Sequence, residues 1–147
     1  MNQNPTAPQA ARQLGYAGAI PFVAGALAAL PVSGSLREWG ILLLLGYGAI
    51  ILSFMGGVHW GAAMVRNDIS LAQLGKSVAP SLLALGAVLI GGRTGLFLLA
   101  SGFAGLLYYD ETETAAGRLP AWYPSLRRPL SAIVISALLV GAAGAAL

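Results

Sequence analysis

Two ionisable side chains in this sequence lie within or next to apolar segments, where such groups are rare. His59 is the single histidine and lies inside the longest apolar stretch, and Asp110 follows another apolar stretch. An ionisable group within a long apolar helix is a functional hypothesis by default. The His59 imidazole could hydrogen-bond a quinone headgroup, ligate a haem or relay protons. In the alternative, which we favour, it is a neutral ring bonded to a buried carbonyl, a hydroxyl or Asp110.

The residues around His59 and Asp110 predict a polar cluster at one end of the helices. Helix four ends at Asp110 and helix five begins soon after Arg127, both at the end of the helix that carries His59. Such a cluster could bind a quinone or an anionic lipid headgroup. We favour a structural role, in which an Asp110–Arg127 pair fastens the loop between helices four and five. The candidate ligand-binding residues are His59, Trp60, Tyr109, Asp110 and Arg127.

A stripe of small residues runs along the helix that carries His59. At about 100° per residue, one narrow face carries Gly46, Ala49, Ser53, Gly57 and Gly61. Small side chains let another helix backbone approach closely and gain contacts that lipid cannot match. We therefore predict a helix-packing seam. We favour a seam within this chain, and the alternative is a seam toward a membrane-protein partner or a second copy.

The sequence contains none of the common catalytic motifs. It has no cysteine, no phosphate-binding Gly-x-x-x-x-Gly-Lys loop, no His-Glu-x-x-His and no Gly-x-Ser-x-Gly. One histidine does not supply a pair of haem ligands, and the apolar segments contain no second good metal ligand. We predict that the protein is not an enzyme and has no catalytic residue, no metal site and no cofactor.

The composition predicts that this chain is surrounded by lipid. Of its 147 residues, 57% are hydrophobic and 9% are charged, whereas about a quarter are charged in soluble domains. The net charge of +3 comes from bases spread over loops, so nucleic acid is not a predicted partner. The predicted fold is all-α, a polytopic integral membrane bundle. A flexible tail at residues 1–12 precedes a single transmembrane domain at residues 13–147.

Five apolar segments are predicted as helices. Their predicted bounds, in chain order, are residues 13–30, 39–64, 77–90, 96–109 and 129–147. Pro31 and Ser33 end the first helix. Ser77 caps the third and Pro129 opens the fifth. Helices three and four are short for a full span, so they either cross a thin region of membrane or form a re-entrant hairpin.

The positions of the basic residues predict the orientation in the membrane. Six bases lie on the same side as the N-terminus, namely Arg12, Arg66, Lys76, Arg118, Arg127 and Arg128. The two others, Arg37 and Arg93, lie on the opposite side. Since lysine and arginine accumulate in cytoplasmic loops, we predict a bacterial inner-membrane protein with a cytoplasmic N-terminus and a periplasmic C-terminus.

The stretch from Tyr47 to Gly61, which ends in Ser-Phe-Met-Gly-Gly-Val-His-Trp-Gly, resembles the signature of a known membrane family. That family is domain of unknown function 3429 (DUF3429), which is related to animal mitochondrial transmembrane protein 69. Further matches lie at residues 14–22, 108–110 and 122–127, and the resemblance covers most of residues 14–140. It implies a small multi-helix protein of proteobacterial or mitochondrial inner membranes. It implies no activity and no catalytic residue.

Two functions of different classes fit these observations. We favour a non-catalytic accessory or assembly subunit of a larger respiratory or photosynthetic membrane complex, because the chain is small, glycine-rich and without catalytic motifs. The alternative is a binder or carrier of a small amphipathic ligand, such as a quinone or lipid, at the cluster around His59 and Asp110. In both interpretations the lipid bilayer is a partner.

Overall fold

The computed structural model describes residues 5–30 and 34–146, which form five α-helices and no strand. The helices are α1 (Gln9–Ala29), α2 (Gly34–Val65), α3 (Leu71–Ile90), α4 (Gly92–Ala115) and α5 (Tyr123–Gly144). The predicted all-helical membrane fold is confirmed, since α2, α3 and α5 are each long and apolar enough to cross a membrane. With 20 and 24 residues, α3 and α4 are longer than predicted, so the prediction of two short helices is wrong.

The five helices alternate in direction and close into a ring. Each helix packs on the next, α1 packs on α5, and α2 also contacts α4 and α5, so α2 touches every other helix. Hydrogen bonds join Arg66 to Arg118 and Gln73 to Tyr109 at one end of the ring. We call this end, where α1, α3 and α5 begin and α2 and α4 finish, the polar end.

The core is apolar, and so is much of the outer surface. The largest apolar side chains that are buried almost completely are Phe22, Phe103, Leu44, Leu52, Leu96, Leu99 and Leu138. Large apolar side chains also point outward on every helix, among them Ile20, Phe54, Leu89, Phe97 and Leu139. Soluble monomers rarely expose apolar surface over such an area. The surface therefore fits a lipid environment.

Glycines set the distance between neighbouring helices. A Cβ added at Gly40 would lie 2.6 Å from the backbone nitrogen of Ala29 in α1. A Cβ added at Gly56 would lie 2.7 Å from the carbonyl oxygen of Ser77 in α3. Both distances are shorter than any real Cβ contact, so α2 meets α1 and α3 where only glycine fits. Such close approach maximises the dispersion contacts that hold membrane helices together.

Gly56→Ala is expected to destabilise the bundle by about 1–3 kcal/mol, because the new methyl group must displace the backbone of α3. Gly57 is the matched control, since a Cβ there meets nothing within 4 Å. Alanine is also the better helix former, so Gly57→Ala should be neutral or slightly stabilising. The measurement is the unfolding midpoint of both variants in the same mild detergent. Equal losses in the two variants would show that close packing at Gly56 is not the cause.

The start of α3 differs from the prediction. The helix begins at Leu71, and Ser70 is its N-cap, with a side-chain oxygen that accepts a hydrogen bond from the backbone of Gln73. The predicted cap, Ser77, instead lies within the helix and donates to a carbonyl one turn earlier. Pro80 lies within the helix too. The predicted start at residue 77 was wrong, and its physical reason is that it assumes Pro80 lies in the first turn, where proline is usually found.

The connection between α4 and α5 is shorter than predicted. α4 continues to Ala115, so Asp110 lies inside the helix and not at its end. α5 begins at Tyr123 with Pro124 in its first turn, and Pro129, the predicted first residue, lies inside it. Much of the predicted polar loop is therefore helical. This extension of both helices brings the polar side chains near residues 110 and 127 onto facing helix surfaces.

The N-terminal segment is packed close to the bundle. α1 begins at Gln9 rather than at residue 13, and Ala7 before it is buried with Leu126 and Leu130 of α5. Residues 9–12 of the predicted tail are thus helical. Residues 1–4 of that tail, the predicted helix end at residues 31 and 33, and the last residue of predicted helix five lie outside the described residues.

Candidate ligand-binding site

A buried ion cluster joins three helices near the polar end. Arg127 Nε in α5 donates to Asp110 Oδ2 in α4 at 2.7 Å, and Asp110 Oδ1 lies 2.7 Å from His59 Nε2 in α2. The exposed fractions of His59, Asp110 and Arg127 are 4%, 1% and 4%. We call these three residues the ion cluster. A buried charge is costly without a partner, and Asp110 is the partner that His59 and Arg127 share.

The helix ends set the depth of the ion cluster. His59 lies six residues before the end of α2, Asp110 five before the end of α4, and Arg127 four after the start of α5. At 1.5 Å per residue, the three residues lie about 6–9 Å from the polar end, measured along their helix axes. An unpaired charge deep in a membrane helix costs roughly 2.5–3.5 kcal/mol on insertion scales. Mutual pairing removes much of this cost.

Tyr109 lies against a further side of the His59 ring. The Tyr109 ring lies 4.4 Å from the imidazole, centroid to centroid, at an interplanar angle of 30°. The Tyr109 hydroxyl donates to Gln73 Oε1 in α3 at 3.4 Å. Trp60, in contrast, is 41% exposed and lies on the outer surface. The structure thus brings together four of the five predicted ligand-binding residues and leaves Trp60 apart.

An ion pair closes the polar end above the cluster. Arg118, in the connection between α4 and α5, donates twice to the Glu113 carboxylate, at 2.6 and 2.7 Å. Arg66, just beyond α2, donates to the Arg118 carbonyl oxygen at 2.8 Å. The hydrogen bonds to Glu113 raise the pKa of the Arg118 guanidinium above its ordinary value, so this side chain stays charged. The connection is fastened by these residues, whereas the ion cluster joins α4 directly to α5.

An apolar groove lies beside the ion cluster, between α1 and α2, and α5 also lines it. The two helices meet at Gly25 and Gly40, and the groove occupies the gap between them toward the polar end. Its volume is about 370 Å³, within the usual range for small-molecule sites. The main apolar side chains of its walls and floor are Leu14, Phe22, Phe54, Met55, Val58, Phe103, Leu126 and Val134.

Two buried polar atoms of groove-lining residues have no hydrogen-bond partner among the described residues. They are the Tyr123 hydroxyl and Arg127 Nη2, on side chains that are 7% and 4% exposed. The two residues are four apart on α5 and so share one helix face. A buried donor without an acceptor costs about 1–3 kcal/mol. Each atom has less than 1 Å² of accessible surface, so both are sealed within the protein and do not open into the groove.

The predicted small-residue seam does not pack within this chain at its glycines. Among residues 5–30 and 34–146, no atom lies within 4 Å of a Cβ added at Gly46, Gly57 or Gly61. Ala49 packs partly against the core, and Ser53 is half-buried. The glycines of α2 that do meet other helices include Gly40 and Gly56. A seam within the chain is therefore wrong for the three open glycines, and a seam toward another molecule stays a prediction.

The groove and Tyr123 were not anticipated from the sequence. Pro129 marks a plausible helix start, which places Tyr123 in a loop among interfacial aromatic residues. The available signal is the four-residue spacing between Tyr123 and Arg127, which matters only if α5 begins near Pro124. In residues 5–30 and 34–146, no three His, Cys, Asp or Glu side chains are grouped so that they could hold a metal ion.

The chain is similar to known proteins over most of its length. Residues 7–143 match a family described as "Protein of unknown function (DUF3429)". Transmembrane protein 69 of Xenopus tropicalis is 34% identical over 137 residues, which cover 90% of this chain. The alignment covers 53% of that relative, so the chain spans about half its length. No solved structure matches the chain.

Proposed function

This chain belongs to the DUF3429 family of membrane proteins, and we propose that it binds a small amphipathic molecule, such as a quinone or a lipid, in the groove between α1 and α2. One observation carries the proposal: an apolar groove of about 370 Å³ lies open beside the ion cluster, with Tyr123 and Arg127 among the residues that line it. An apolar cavity with a few converging polar groups is typical of a small-molecule site.

The shape of the groove suits an apolar tail that arrives from the bilayer. Its α1 wall runs from Ala11 to Phe22, about 16 Å of helix. Leu14 and Phe54 line it and are 76% and 67% exposed, so its edge faces lipid and a ligand could enter sideways. A tail that leaves lipid for the groove gains little hydrophobic free energy. Affinity must therefore come from shape and from the polar head.

The ion cluster positions the polar end of this site. Asp110 holds Arg127 by Nε and so fixes the position of this side chain, which lines the groove. His59 occupies the second oxygen of Asp110 and so fixes the carboxylate. The ion cluster determines where the Arg127 side chain lies. In the proposed function, the ion cluster catalyses no step.

The test is purification of the tagged protein from its native membranes in mild detergent, with mass spectrometry of everything retained. We expect a small amphipathic molecule, about one per protein, that survives washes which remove bulk phospholipid. A preparation that holds only bulk lipids, in the proportions of the membrane, would overturn the proposal.

A second candidate function is a non-catalytic accessory or assembly subunit of a larger respiratory or photosynthetic membrane complex. The observation that favours it is the open stripe at Gly46, Gly57 and Gly61, which meets no helix of this chain. Small residues on an outer helix face allow a second backbone to approach. The same purification tests this role. A stoichiometric protein partner that is lost in Gly57→Leu supports it, and a protein that purifies alone contradicts it.

We also propose that the polar end faces the cytoplasm of a bacterium, with the protein in the inner membrane. The chain has no cysteine, and both Ala116, near the polar end, and Thr94, near the opposite end, are exposed. An impermeant maleimide is expected to label Thr94→Cys in spheroplasts and Ala116→Cys only after the membrane is opened. The reverse labelling pattern would contradict the proposed orientation.

A further inference from the structure

A second groove, between α3 and α4, carries a charged residue at its polar end. Its volume is about 290 Å³, and the residues that line it include Lys76, Pro80, Leu83, Gly102, Gly105 and Tyr109. We call it the α3–α4 groove. We infer that it binds one anionic phospholipid from the leaflet at the polar end, with an acyl chain in the groove and the phosphate on the Lys76 ammonium. This inference is independent of the ligand proposed between α1 and α2.

The shape of the α3–α4 groove fits the upper part of an acyl chain. Its α3 wall runs from Lys76 to Leu83, about 10 Å of helix. Ser101 and Gly105 of α4 line the other wall and are exposed, so the groove opens toward lipid. An acyl chain gains little free energy when it moves from lipid into such a groove. The choice among lipids must therefore come from the headgroup.

Lys76 supplies the charge that selects the headgroup. Its ammonium nitrogen lies 5.8 Å from the centroid of the Tyr109 ring, a cation–π contact that holds it beside the polar end of the groove. In the part of the chain that the structure describes, no carboxylate oxygen lies within 4 Å of this nitrogen. Lys76 is five residues after the start of α3, so its exposed, long side chain can reach the headgroup layer. Basic pockets between membrane helices bind anionic headgroups.

The charges around Lys76 leave one positive charge unbalanced. On this side of the polar end, three basic and two acidic side chains lie together, namely Arg66, Lys76, Arg118, Asp68 and Glu113. The ion cluster adds no net negative charge, because Arg127 balances Asp110 and His59 is neutral or positive. A phosphodiester carries a single negative charge and would match this excess.

The experiment titrates the purified protein, in a nonionic detergent, with dioleoyl phosphatidylglycerol or dioleoyl phosphatidylcholine and counts bound lipids by native mass spectrometry. We expect one phosphatidylglycerol to bind roughly fivefold more tightly than phosphatidylcholine, the usual effect of one basic residue on an anionic lipid. Glycerol 3-phosphate, which has the phosphate without acyl chains, should not displace it. Equal affinity for the two lipids, or displacement by glycerol 3-phosphate, would overturn the inference.

Lys76→Gln removes the charge and keeps most of the side chain, so the preference for phosphatidylglycerol should disappear, whereas Lys76→Arg should keep it. Arg93→Gln is the matched control, since Arg93 is exposed and lies 5.5 Å from the centroid of the Phe97 ring, outside the α3–α4 groove. It should leave the preference unchanged. Equal losses in the two glutamine variants would show that net charge alone attracts the lipid, and would overturn the inference.

Gly105→Leu fills the α3–α4 groove and leaves Lys76 in place. It should weaken phosphatidylglycerol binding at least about threefold, because the leucine overlaps the acyl chain. Gly86→Leu on α3 is its control, at a position outside the groove where an added Cβ meets no atom of the described chain within 4 Å. Unchanged binding in Gly105→Leu would show that the acyl chain lies elsewhere, and would overturn the site.

Discussion

Asp110→Ala is expected to lower the free energy of unfolding by about 3–5 kcal/mol, the usual cost of breaking a buried pair from one side. The substitution removes the partner of both Arg127 and His59. It leaves a guanidinium charge without its carboxylate partner, on a side chain that is 4% exposed. Denaturant unfolding in one fixed detergent and lipid mixture measures the loss.

Two further variants separate charge from packing in this result. Glu111→Ala breaks an exposed pair with Arg128 and should have little effect, as exposed pairs usually do. Asp110→Ala combined with Arg127→Met removes the orphaned charge, so it should recover most of the stability that the single variant loses. A double variant as unstable as Asp110→Ala alone would show that the ion pair is not what stabilises these helices.

Gly18→Leu is expected to reduce the amount of small molecule retained per protein at least about tenfold. Steric overlap between the leucine and the ligand that costs only ~1.4 kcal/mol changes the binding constant tenfold. Gly18 lines the groove. A Cβ there would lie 3.7 Å from the Tyr47 hydroxyl, an ordinary contact, so the first carbon fits and the rest of the side chain fills the cavity. The measurement is the number of ligand molecules per protein after solvent extraction and mass spectrometry.

Gly46→Leu is the matched control for the filled groove. It introduces the same side chain on α2, outside the groove and at a position where a Cβ meets nothing within 4 Å. It should retain the ligand at the wild-type level. Unchanged ligand content in Gly18→Leu as well would place the bound molecule elsewhere on the protein.

The helical bundle could be predicted from composition, whereas the helix ends could not. Long apolar segments must form helices in lipid because every backbone polar group needs an internal partner, and this holds for all five. We predicted Pro80 in the first turn of helix three and Pro129 at the start of helix five, but both lie well inside helices. Membrane helices tolerate internal proline because their neighbours re-satisfy the freed backbone groups, so proline is a weaker boundary signal here than in soluble proteins.

The ion cluster could be anticipated and the groove could not. His59, Asp110 and Arg127 each stand near a predicted helix end on one side of the membrane, so their meeting follows from alternating helix direction. The groove depends on how α1 diverges from α2, which the periodicity of either helix does not report. Which glycines pack against another helix could not be predicted either. Gly56 and Gly57 lie about 100° apart on α2, and only the position of α3 decides which of the two is buried.

The most direct test of the ligand-binding groove is photocrosslinking in vesicles with a benzoquinone whose decyl tail carries a diazirine. Peptide mass spectrometry then locates the attachment sites. We predict that they concentrate on the groove walls, at residues 14–22 of α1 and 126–134 of α5, and that they disappear in Gly18→Leu. Attachment spread evenly over lipid-facing positions such as Leu82 and Leu89 of α3 would contradict a ligand-binding groove.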